Sequence, residues 1–125
     1  MAGDLHCHTK ISDGSVGLED LIAIAKRRGL SAISVTDHDT TAGATRAVII
    51  GKRQQMNVIH GVEMSTADTR RGSKIHLLCY LCDYPDRLEG MCRRVSDSRK
   101  QAAKDMMRRV MRYYPITPEL IVKCA

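Results

Sequence analysis

Phenylalanine and tryptophan are absent from the 125 residues of this chain, and four tyrosines are its only aromatic side chains. This composition argues against an extended platform on which the bases of a long single strand would stack. No apolar run approaches the roughly eighteen residues that cross a membrane, and the N-terminus leads directly into the polar string DLHCHT without a signal-peptide pattern. We therefore expect a cytoplasmic protein that does not enter the membrane.

The cysteines show no disulfide framework, because they are five in number and three of them lie in apolar or helical patterns. Cys79 and Cys82 form a C-x-x-C pair, which is compatible with zinc binding. Residues three apart on a strand point to opposite faces, however, and no second cysteine pair supplies the remaining ligands. The sequence thus favours reduced thiols and argues against a zinc ribbon.

The order of elements predicts an α/β fold. The pattern strand, helix, strand, helix, strand favours a parallel sheet with right-handed crossovers, and a polar turn near Arg71 and Gly72 then leads directly into a further strand, as in a hairpin. Thr117 is expected to cap a last helix that starts at Pro118. The other predicted elements are a short strand ending in DLHCHT, strands at 31–36, 57–64 and 74–81, and helices at 18–29, 40–55 and 87–112.

Two histidines and an aspartate near the N-terminus are candidate metal ligands. His6 and His8 are two apart on a strand, so both imidazoles project from one face while Cys7 points the other way. This spacing suits two nitrogens that bind a single ion. Asp13, in the loop string SDG, is a further candidate, although an aspartate there is also a common turn former.

His38 lies between two acids, directly after the apolar strand SAISV. Acids beside a histidine at a strand end are costly unless they are solvated or bound to cations, which favours a metal site. Asp37 is also a candidate proton relay, although the sequence does not separate it from a histidine in that role. For Asp39, we expect a cap of the following helix rather than a ligand.

Later in the chain, Glu63 and His76 complete the candidate set. Glu63 ends a mostly apolar predicted strand, where a carboxylate needs a partner and is able to bridge two ions. His60 is three residues earlier, faces the opposite side and is expected to be a packing or surface histidine. Mixed nitrogen and oxygen ligands near predicted strand ends suit zinc, manganese or iron rather than magnesium or calcium. The set is His6, His8, Asp13, His38, Glu63 and His76.

The strings DLHCHT, SDG, TDHDT, GVEMS and IHLLCY, in this order and spacing, resemble the N-terminal half of the PHP superfamily, named for polymerase and histidinol phosphatase. The resemblance implies the N-terminal part of a distorted barrel of about seven strand-helix units. It also implies two or three divalent ions and hydrolysis of phosphate esters. On that pattern His6 and His8 bind one ion, Glu63 bridges, His76 binds the second, and Asp13 with His38 holds the third.

The TrpH-type branch of that superfamily is the most similar, and it acts on nucleoside 3',5'-bisphosphates or trims short RNA from the 5' end. The resemblance implies that residues 1–84 form the N-terminal barrel part and that residues 85–125 start a helical insertion after the fourth strand. Cys79 stands where glycine is usual. Family members continue through the rest of the barrel to a late Asp-x-His pair of ligands, so the chain is expected to be a piece of a longer enzyme.

Positive charge is concentrated between Arg87 and Arg112, where nine Lys or Arg face three acids, a net of +6 that equals the surplus of the whole chain. A basic helix beside a phosphate-ester site would raise the local concentration of an anionic substrate. Solvation of a charged helix face explains the same pattern. Arg99, which aligns with an arginine of the family's insertion, is the candidate for binding a substrate phosphate.

The residue patterns predict a hydrolase site for several metal ions, and the resemblance implies that it is a phosphoesterase in which a metal-activated water is the nucleophile, with Glu63, His38 and Asp37 as catalytic candidates. A phosphorylated small molecule, a nucleotide or a short RNA is the expected substrate. The alternative is a truncated, non-catalytic module that binds metal or nucleic acid. An open sheet also exposes its edges, through which two copies are expected to be able to pair.

Overall fold

The computed structural model describes residues 2–124, with the side chains of Val122 and Cys124 excepted. Its elements alternate as predicted through β3 and then depart from the alternation at the hairpin. They are β1 (Gly3–Cys7), α1 (Leu18–Arg27), β2 (Ala32–Val35), α2 (Ala44–Gln54), β3 (Asn57–Asp68), β4 (Ser73–Tyr80), α3 (Pro85–Val110) and α4 (Pro118–Cys124).

The four strands form one sheet in the order β1-β2-β3-β4. β1 pairs with β2 and β2 pairs with β3 in parallel, whereas β3 and β4 pair in antiparallel fashion. This topology confirms the predicted parallel sheet that ends in a hairpin. Because β1 and β2 are parallel, their carboxyl ends also lie side by side at one end of the sheet, where residues that follow different strands come together.

The core lies between the sheet and the first two helices. Ile33 and Val35 of β2 are almost fully buried, which explains the short run of small and β-branched residues in SAISV. Leu18, Ile22 and Ala25 recur at helical spacing and bury one face of α1 in the same cluster. Burial of these side chains holds the parallel strands and their crossovers in place.

β3 is longer than predicted, because it continues through Asp68 instead of ending at Met64. The residues predicted as a polar turn, 65–68, pair with β4 as far as the contact of Asp68 with Ser73. The turn itself lies where it was expected, and Gly72 has φ +67, a left-handed conformation that glycine adopts without strain. Glu63 therefore lies inside a strand and not at its end.

The chain divides into two compact units, with the division between Arg93 and Arg94. The predicted boundary between residues 84 and 85 stays a prediction. In the second unit, the backbone N–H of Leu120 donates to Oγ1 of Thr117 at 3.3 Å, which confirms the predicted cap of α4. None of the helices within residues 2–124 has the length and hydropathy required to cross a membrane.

Candidate metal centre

The carboxylate of Glu63 is the centre of a cluster of histidines from three strand regions. Glu63 is only 3% exposed, on the part of β3 that follows its pairing with β2. His6 Nε2 lies 2.8 Å and His8 Nε2 lies 3.0 Å from Glu63 Oε2, whereas His76 Nδ1 lies 2.7 Å from Oε1. His38 Nε2, after β2, is 3.6 Å from Oε2.

The two histidines of the first strand project from one face, as predicted from their spacing. His6 lies within β1 and His8 directly follows it, and their ring centroids are 5.0 Å apart. Cys7, between them, packs against the hydrophobic core on the other side. Strand alternation therefore places both imidazoles against the same carboxylate oxygen.

His76 reaches Glu63 through the register of the hairpin. Ser65 of β3 pairs with His76 of β4, and Glu63 pairs with Leu78, so Glu63 and His76 are diagonal neighbours on one face. The expectation that His76 lies near a strand end is wrong, because β4 begins at Ser73 and runs to Tyr80. The contact depends on the pairing of the two strands and not on a strand terminus.

Asp13 and His38 form the other side of the cluster. Asp13 Oδ1 lies 3.4 Å from His8 Nδ1, and Asp13 Oδ2 lies 3.6 Å from His38 Nε2. The rings of His8 and His38 stack with centroids 4.8 Å apart. His8 thus directs one ring nitrogen toward Glu63 and the other toward Asp13.

The six predicted ligands fall into three overlapping groups of three residues. Within each group, the donor atoms lie within 4.8 Å of one another. Histidine nitrogens and carboxylate oxygens in such groups suit transition metals. Within residues 2–124, Nδ1 of His8, which faces Asp13, is buried without a hydrogen-bond partner, as expected for an atom that donates a lone pair to a cation. Nδ1 of His38 is also buried without a hydrogen-bond partner among these residues, but the ring nitrogen of His38 that faces Asp13 and Glu63 is Nε2. The groups are His6, His8 and Glu63; His8, Asp13 and His38; and His38, Glu63 and His76.

Both carboxylates of the cluster favour their anionic forms. Burial raises the pKa of Glu63, but the hydrogen bond with His6 and the nearby His38 lower it more, so the pKa lies below its ordinary value. For Asp13, burial again raises the pKa, and the Ser12 hydrogen bond together with the nearby histidines lowers it below the ordinary value. Deprotonated carboxylates are the forms that bind metal ions.

The two acids beside His38 contact the neighbouring elements. Asp37 is 2% exposed, and its carboxylate accepts hydrogen bonds from Thr9 and Ser12 in the loop after β1. The expectation that Asp39 caps the next helix is wrong: α2 begins at Ala44, after a turn, and Asp39 Oδ1 instead accepts the backbone N–H of Ser65 at 2.8 Å.

The backbone also joins His38 to β3. The N–H of Asp39 donates to the carbonyl of Glu63 at 2.8 Å, and the N–H of Glu63 donates to the carbonyl of Asp37 at 3.3 Å. His38 and Glu63 form an isolated parallel bridge, which continues the pairing of β2 and β3 beyond β2. This bridge places the two side chains at neighbouring positions.

Thr9 and Ser12 are the functional candidates that the sequence interpretation missed. Thr9 is fully buried and donates to Asp37 both through its backbone N–H, at 2.7 Å, and through Oγ1, at 2.8 Å. Their position in the sequence could have indicated a role at the site, since both hydroxyl residues lie between two predicted ligands, His8 and Asp13.

The remaining sequence candidates lie outside the three groups. Arg99 is on α3, in the part of the helix that belongs to the second unit, and its substrate-binding role stays a prediction. His60 belongs to none of the three groups found among the described residues, in line with its interpretation as a packing or surface residue. Asp37 belongs to none of them either, and its proton-relay role stays a prediction.

Comparison with known families and proteins identifies relatives of this chain. The family described as PHP domain matches residues 4–121. A phosphoribosyl 1,2-cyclic phosphate 1,2-diphosphodiesterase of Eggerthella lenta is 44% identical over 78 residues, which are 62% of this chain and 30% of that protein. A 5'-3' exoribonuclease of Haemophilus influenzae is 40% identical over 75 residues, which are 60% of this chain and 27% of that protein. The matched segments thus span less than a third of either relative's length.

A solved structure shares the fold. A candidate metal-dependent phosphoesterase of Bifidobacterium adolescentis superimposes with a TM-score of 0.83 and 29% sequence identity, over 95% of this chain and 41% of that one. The likeness confirms the predicted fold class, an α/β sheet of the kind that forms the N-terminal part of a PHP barrel.

Proposed function

The chain belongs to the PHP domain family, and on that premise we propose that it carries the ligand-rich part of a metal-dependent phosphoesterase. The proposed reaction is hydrolysis of phosphate monoesters or diesters in nucleotides, short RNA or other phosphorylated small molecules. The observation that carries the proposal is the buried Glu63 carboxylate, which four histidines from three segments surround. A buried anion with so many nitrogen neighbours fits a site for several cations.

Two or three divalent ions, manganese, zinc or iron, are the proposed cofactors. His6, His8 and Glu63 would hold one ion, His38, Glu63 and His76 a second, and Asp13 with His8 and His38 a third. Such ions polarise phosphate oxygens and lower the pKa of a bound water, so that it becomes a nucleophile at neutral pH.

Glu63 is proposed to bridge, because its two oxygens point to different histidines. Oε2 faces His6 of β1 and His8 directly after it, and Oε1 faces His76 of β4. A carboxylate with this arrangement holds two donor groups at a fixed separation and supplies negative charge between two cations. His38, which takes part in two of the three groups, is proposed to act beside Glu63 in the reaction.

Substrate binding is proposed to involve the basic helix α3. Its sequence carries most of the surplus positive charge of the chain, and Arg99 is the proposed contact to a substrate phosphate. The named activities of the two relatives, a diphosphodiesterase and an exoribonuclease, are compatible with a substrate that has more than one phosphate group. We place residues 85–125 in a helical insertion and the protein in the cytoplasm as parts of the same proposal.

The test combines metal analysis with an assay of turnover. The 125-residue chain is stripped with a chelator, reloaded with Mn²⁺ or Zn²⁺ and dialysed, and bound metal is counted by plasma mass spectrometry. Hydrolysis is then followed with bis(p-nitrophenyl) phosphate, a nucleoside 3',5'-bisphosphate and a short 5'-phosphorylated RNA. Two or three bound ions together with metal-dependent turnover are the expected result.

The two other outcomes decide against the proposal in different ways. Bound ions without turnover of any of these esters would favour the alternative, a non-catalytic metal-binding or nucleic-acid-binding module. Because the chain matches less than a third of either relative's length, this outcome would apply to the isolated chain and not to a longer protein that contains it. Failure to bind any ion would overturn the metal centre itself.

A further inference from the structure

Asp37 is a buried carboxylate whose hydrogen bonds go to one loop. Its Oδ1 accepts the backbone N–H of Thr9 and the hydroxyl of Ser12, both at 2.7 Å, and its Oδ2 accepts the Thr9 hydroxyl at 2.8 Å. Because an ionised carboxylate is costly to bury, three donors at such short distances make a stable arrangement of the loop and the acid together.

The donors lie between two proposed metal ligands. Thr9 directly follows His8, Ser12 directly precedes Asp13, and Asp37 directly precedes His38. The hydrogen bonds therefore connect the segment after β2 with the loop after β1. Each residue that takes part in them is next in sequence to one member of the proposed group His8, Asp13 and His38.

We propose that Asp37 is a positioning residue that sets the geometry of the group formed by His8, Asp13 and His38. The inference rests on the proposed function, because it takes this group as a metal site. Asp37 acts through the loop and does not itself contact the ion. It holds His8 and Asp13, which follow β1, at a fixed distance from His38, which follows β2.

The exposure of Asp13 shows why such a tie is needed. The Asp13 side chain is 65% exposed, and its distances to His8 Nδ1 and His38 Nε2 are 3.4 and 3.6 Å. A carboxylate on a surface loop samples many orientations unless the backbone beneath it is fixed, and metal sites require donor positions within about 0.5 Å. Asp37 anchors this loop from the buried side, at the backbone of Thr9 and at the hydroxyl of Ser12, the residue before Asp13.

Ser12 connects the two carboxylates directly. Its Oγ lies 2.7 Å from Asp37 Oδ1 and 3.2 Å from Asp13 Oδ1. Both carboxylates accept from the single proton of this hydroxyl, and the distances make the hydrogen bond to Asp37 the stronger of the two and that to Asp13 the weaker. Ser12 is thereby held in place beside Asp13, and the position of Asp37 is transmitted to the ligand.

The proposal separates Asp37 from a proton relay. A relay must exchange protons with the reacting groups, whereas the three hydrogen bonds that the structure shows for the carboxylate of Asp37 all come from Thr9 and Ser12. A positioning residue changes metal affinity when it is replaced. A relay changes turnover and its pH profile and leaves metal affinity as it was.

The experiment measures stepwise binding of Mn²⁺ and Co²⁺ to the 125-residue chain by isothermal titration calorimetry, with the visible spectrum of bound Co²⁺ as a second readout. Asp13→Asn identifies the binding step that belongs to this group. Asp37→Asn is expected to weaken the same step about 10- to 100-fold, and Ser12→Ala about tenfold, with a changed Co²⁺ spectrum in both. The other steps should keep their affinities.

Asp68→Asn is the matched control. Asp68 also accepts backbone N–H groups of a loop, those of Arg70 and Arg71 at 2.9 and 3.3 Å, but this loop is the turn of the β3-β4 hairpin. Its replacement should leave every binding step unchanged. Circular dichroism confirms that each variant is folded, and Ser12→Ala carries the test if Asp37→Asn does not fold.

The possible failures are distinguishable. Unchanged affinity and spectrum in both Asp37→Asn and Ser12→Ala would overturn the positioning role while the metal centre stands. Unchanged affinity with lost turnover in Asp37→Asn alone would assign Asp37 to the relay. Absence of any binding step in the unmodified chain would overturn the proposed function and this inference together.

Discussion

Glu63 Oε1 and His76 Nδ1 lie 2.7 Å apart on neighbouring antiparallel strands. The contact follows from the hairpin register, in which Glu63 pairs with Leu78 and His76 with Ser65. A shift of the register by one residue would turn His76 to the other face of the sheet and remove it from the cluster. The register set by the hairpin turn is therefore needed to form the candidate metal centre, although the turn is remote in sequence from His6 and His8.

We predict that Glu63→Gln removes most of the bound metal. Glutamine keeps the size of the side chain but loses the negative charge and one of the two ligand oxygens that face different histidines. Because Glu63 takes part in two of the three groups, bound metal after dialysis should fall to one ion per chain or less. Plasma mass spectrometry measures the stoichiometry.

Glu89→Gln is the control for this substitution, since Glu89 lies exposed on α3 outside the three groups and the change removes the same charge. It should bind as much metal as the unmodified chain. Equal stoichiometry in the Glu63→Gln and Glu89→Gln variants would rule out the bridging assignment.

Local patterns were sufficient to predict most elements. The helical spacing of Leu18, Leu21, Ile22 and Ala25 predicts one face of α1, and the two-residue spacing of His6 and His8 predicts one face of β1. The structure confirms both faces, with Leu21 only partly buried against the core. Strand ends are harder to predict, because a polar stretch such as residues 65–68 continues a strand when a partner strand accepts its hydrogen bonds. The position of Glu63 inside β3 depends on that partner.

The hydrogen-bond partners of the two acids in TDHDT could not be predicted from the residue type and its sequence neighbours. Asp37 and Asp39 differ from each other only by their place beside His38, yet one accepts hydrogen bonds from the loop after β1 and the other from β3. Both partners are more than twenty residues away along the chain. A propensity for capping is a local preference, and here contacts between distant segments override it.

We predict that Gly14→Ala destabilises the chain, because the loop that carries Asp13 returns closely over the end of β1. A Cβ atom on Gly14 would lie 2.4 Å from the carbonyl oxygen of His8 and 2.7 Å from the nitrogen of Thr9. These are backbone atoms that cannot rotate away, so the free energy of unfolding should fall by about 1 to 3 kcal/mol. Urea unfolding followed by circular dichroism measures the change.

Gly90→Ala is the control for Gly14→Ala, because the same change of residue is expected not to lower the free energy of unfolding at this position. Gly90 lies in α3, where an added Cβ meets no atom within 4 Å. Alanine in a helix interior is favoured over glycine by about 0.5 to 1 kcal/mol, so this variant should be as stable as the unmodified chain or more stable. Equal effects of the two substitutions would contradict the steric argument for Gly14.

We predict that Arg99→Ala weakens binding of a ligand with two phosphate groups more than of a ligand with one. A charge-assisted hydrogen bond to phosphate contributes about 1.5 to 3 kcal/mol, which corresponds to roughly a 10- to 150-fold change in Kd. Calorimetric titration of the metal-loaded chain with a nucleoside 3',5'-bisphosphate and with the 5'-monophosphate measures the difference.

Arg53→Ala controls for the loss of one positive charge, because Arg53 is exposed on α2. At low salt this variant should weaken binding of both ligands slightly through the long-range field, and of the bisphosphate more than of the monophosphate because it carries more charge. If Arg99→Ala favours the monophosphate over the bisphosphate no more than Arg53→Ala does, Arg99 acts only through net charge.

We predict that alkaline pH destabilises the chain through Cys7. Burial, with a further contribution from Asp4, raises the pKa of the Cys7 thiol to about 12 in the folded chain, from an ordinary value of 9.0. Between these two values the unfolded chain has lost a proton that the folded chain retains, so the free energy of unfolding falls as the pH rises above 9, by at most about 1.4 kcal/mol per pH unit. The comparison is made with Cys7→Ala, which lacks only this thiol, so that every other group contributes to both chains. Urea unfolding of both chains from pH 8 to pH 11 should give curves that converge with rising pH, whereas parallel curves would mean that the thiol ionises as readily in the folded chain as in the unfolded one.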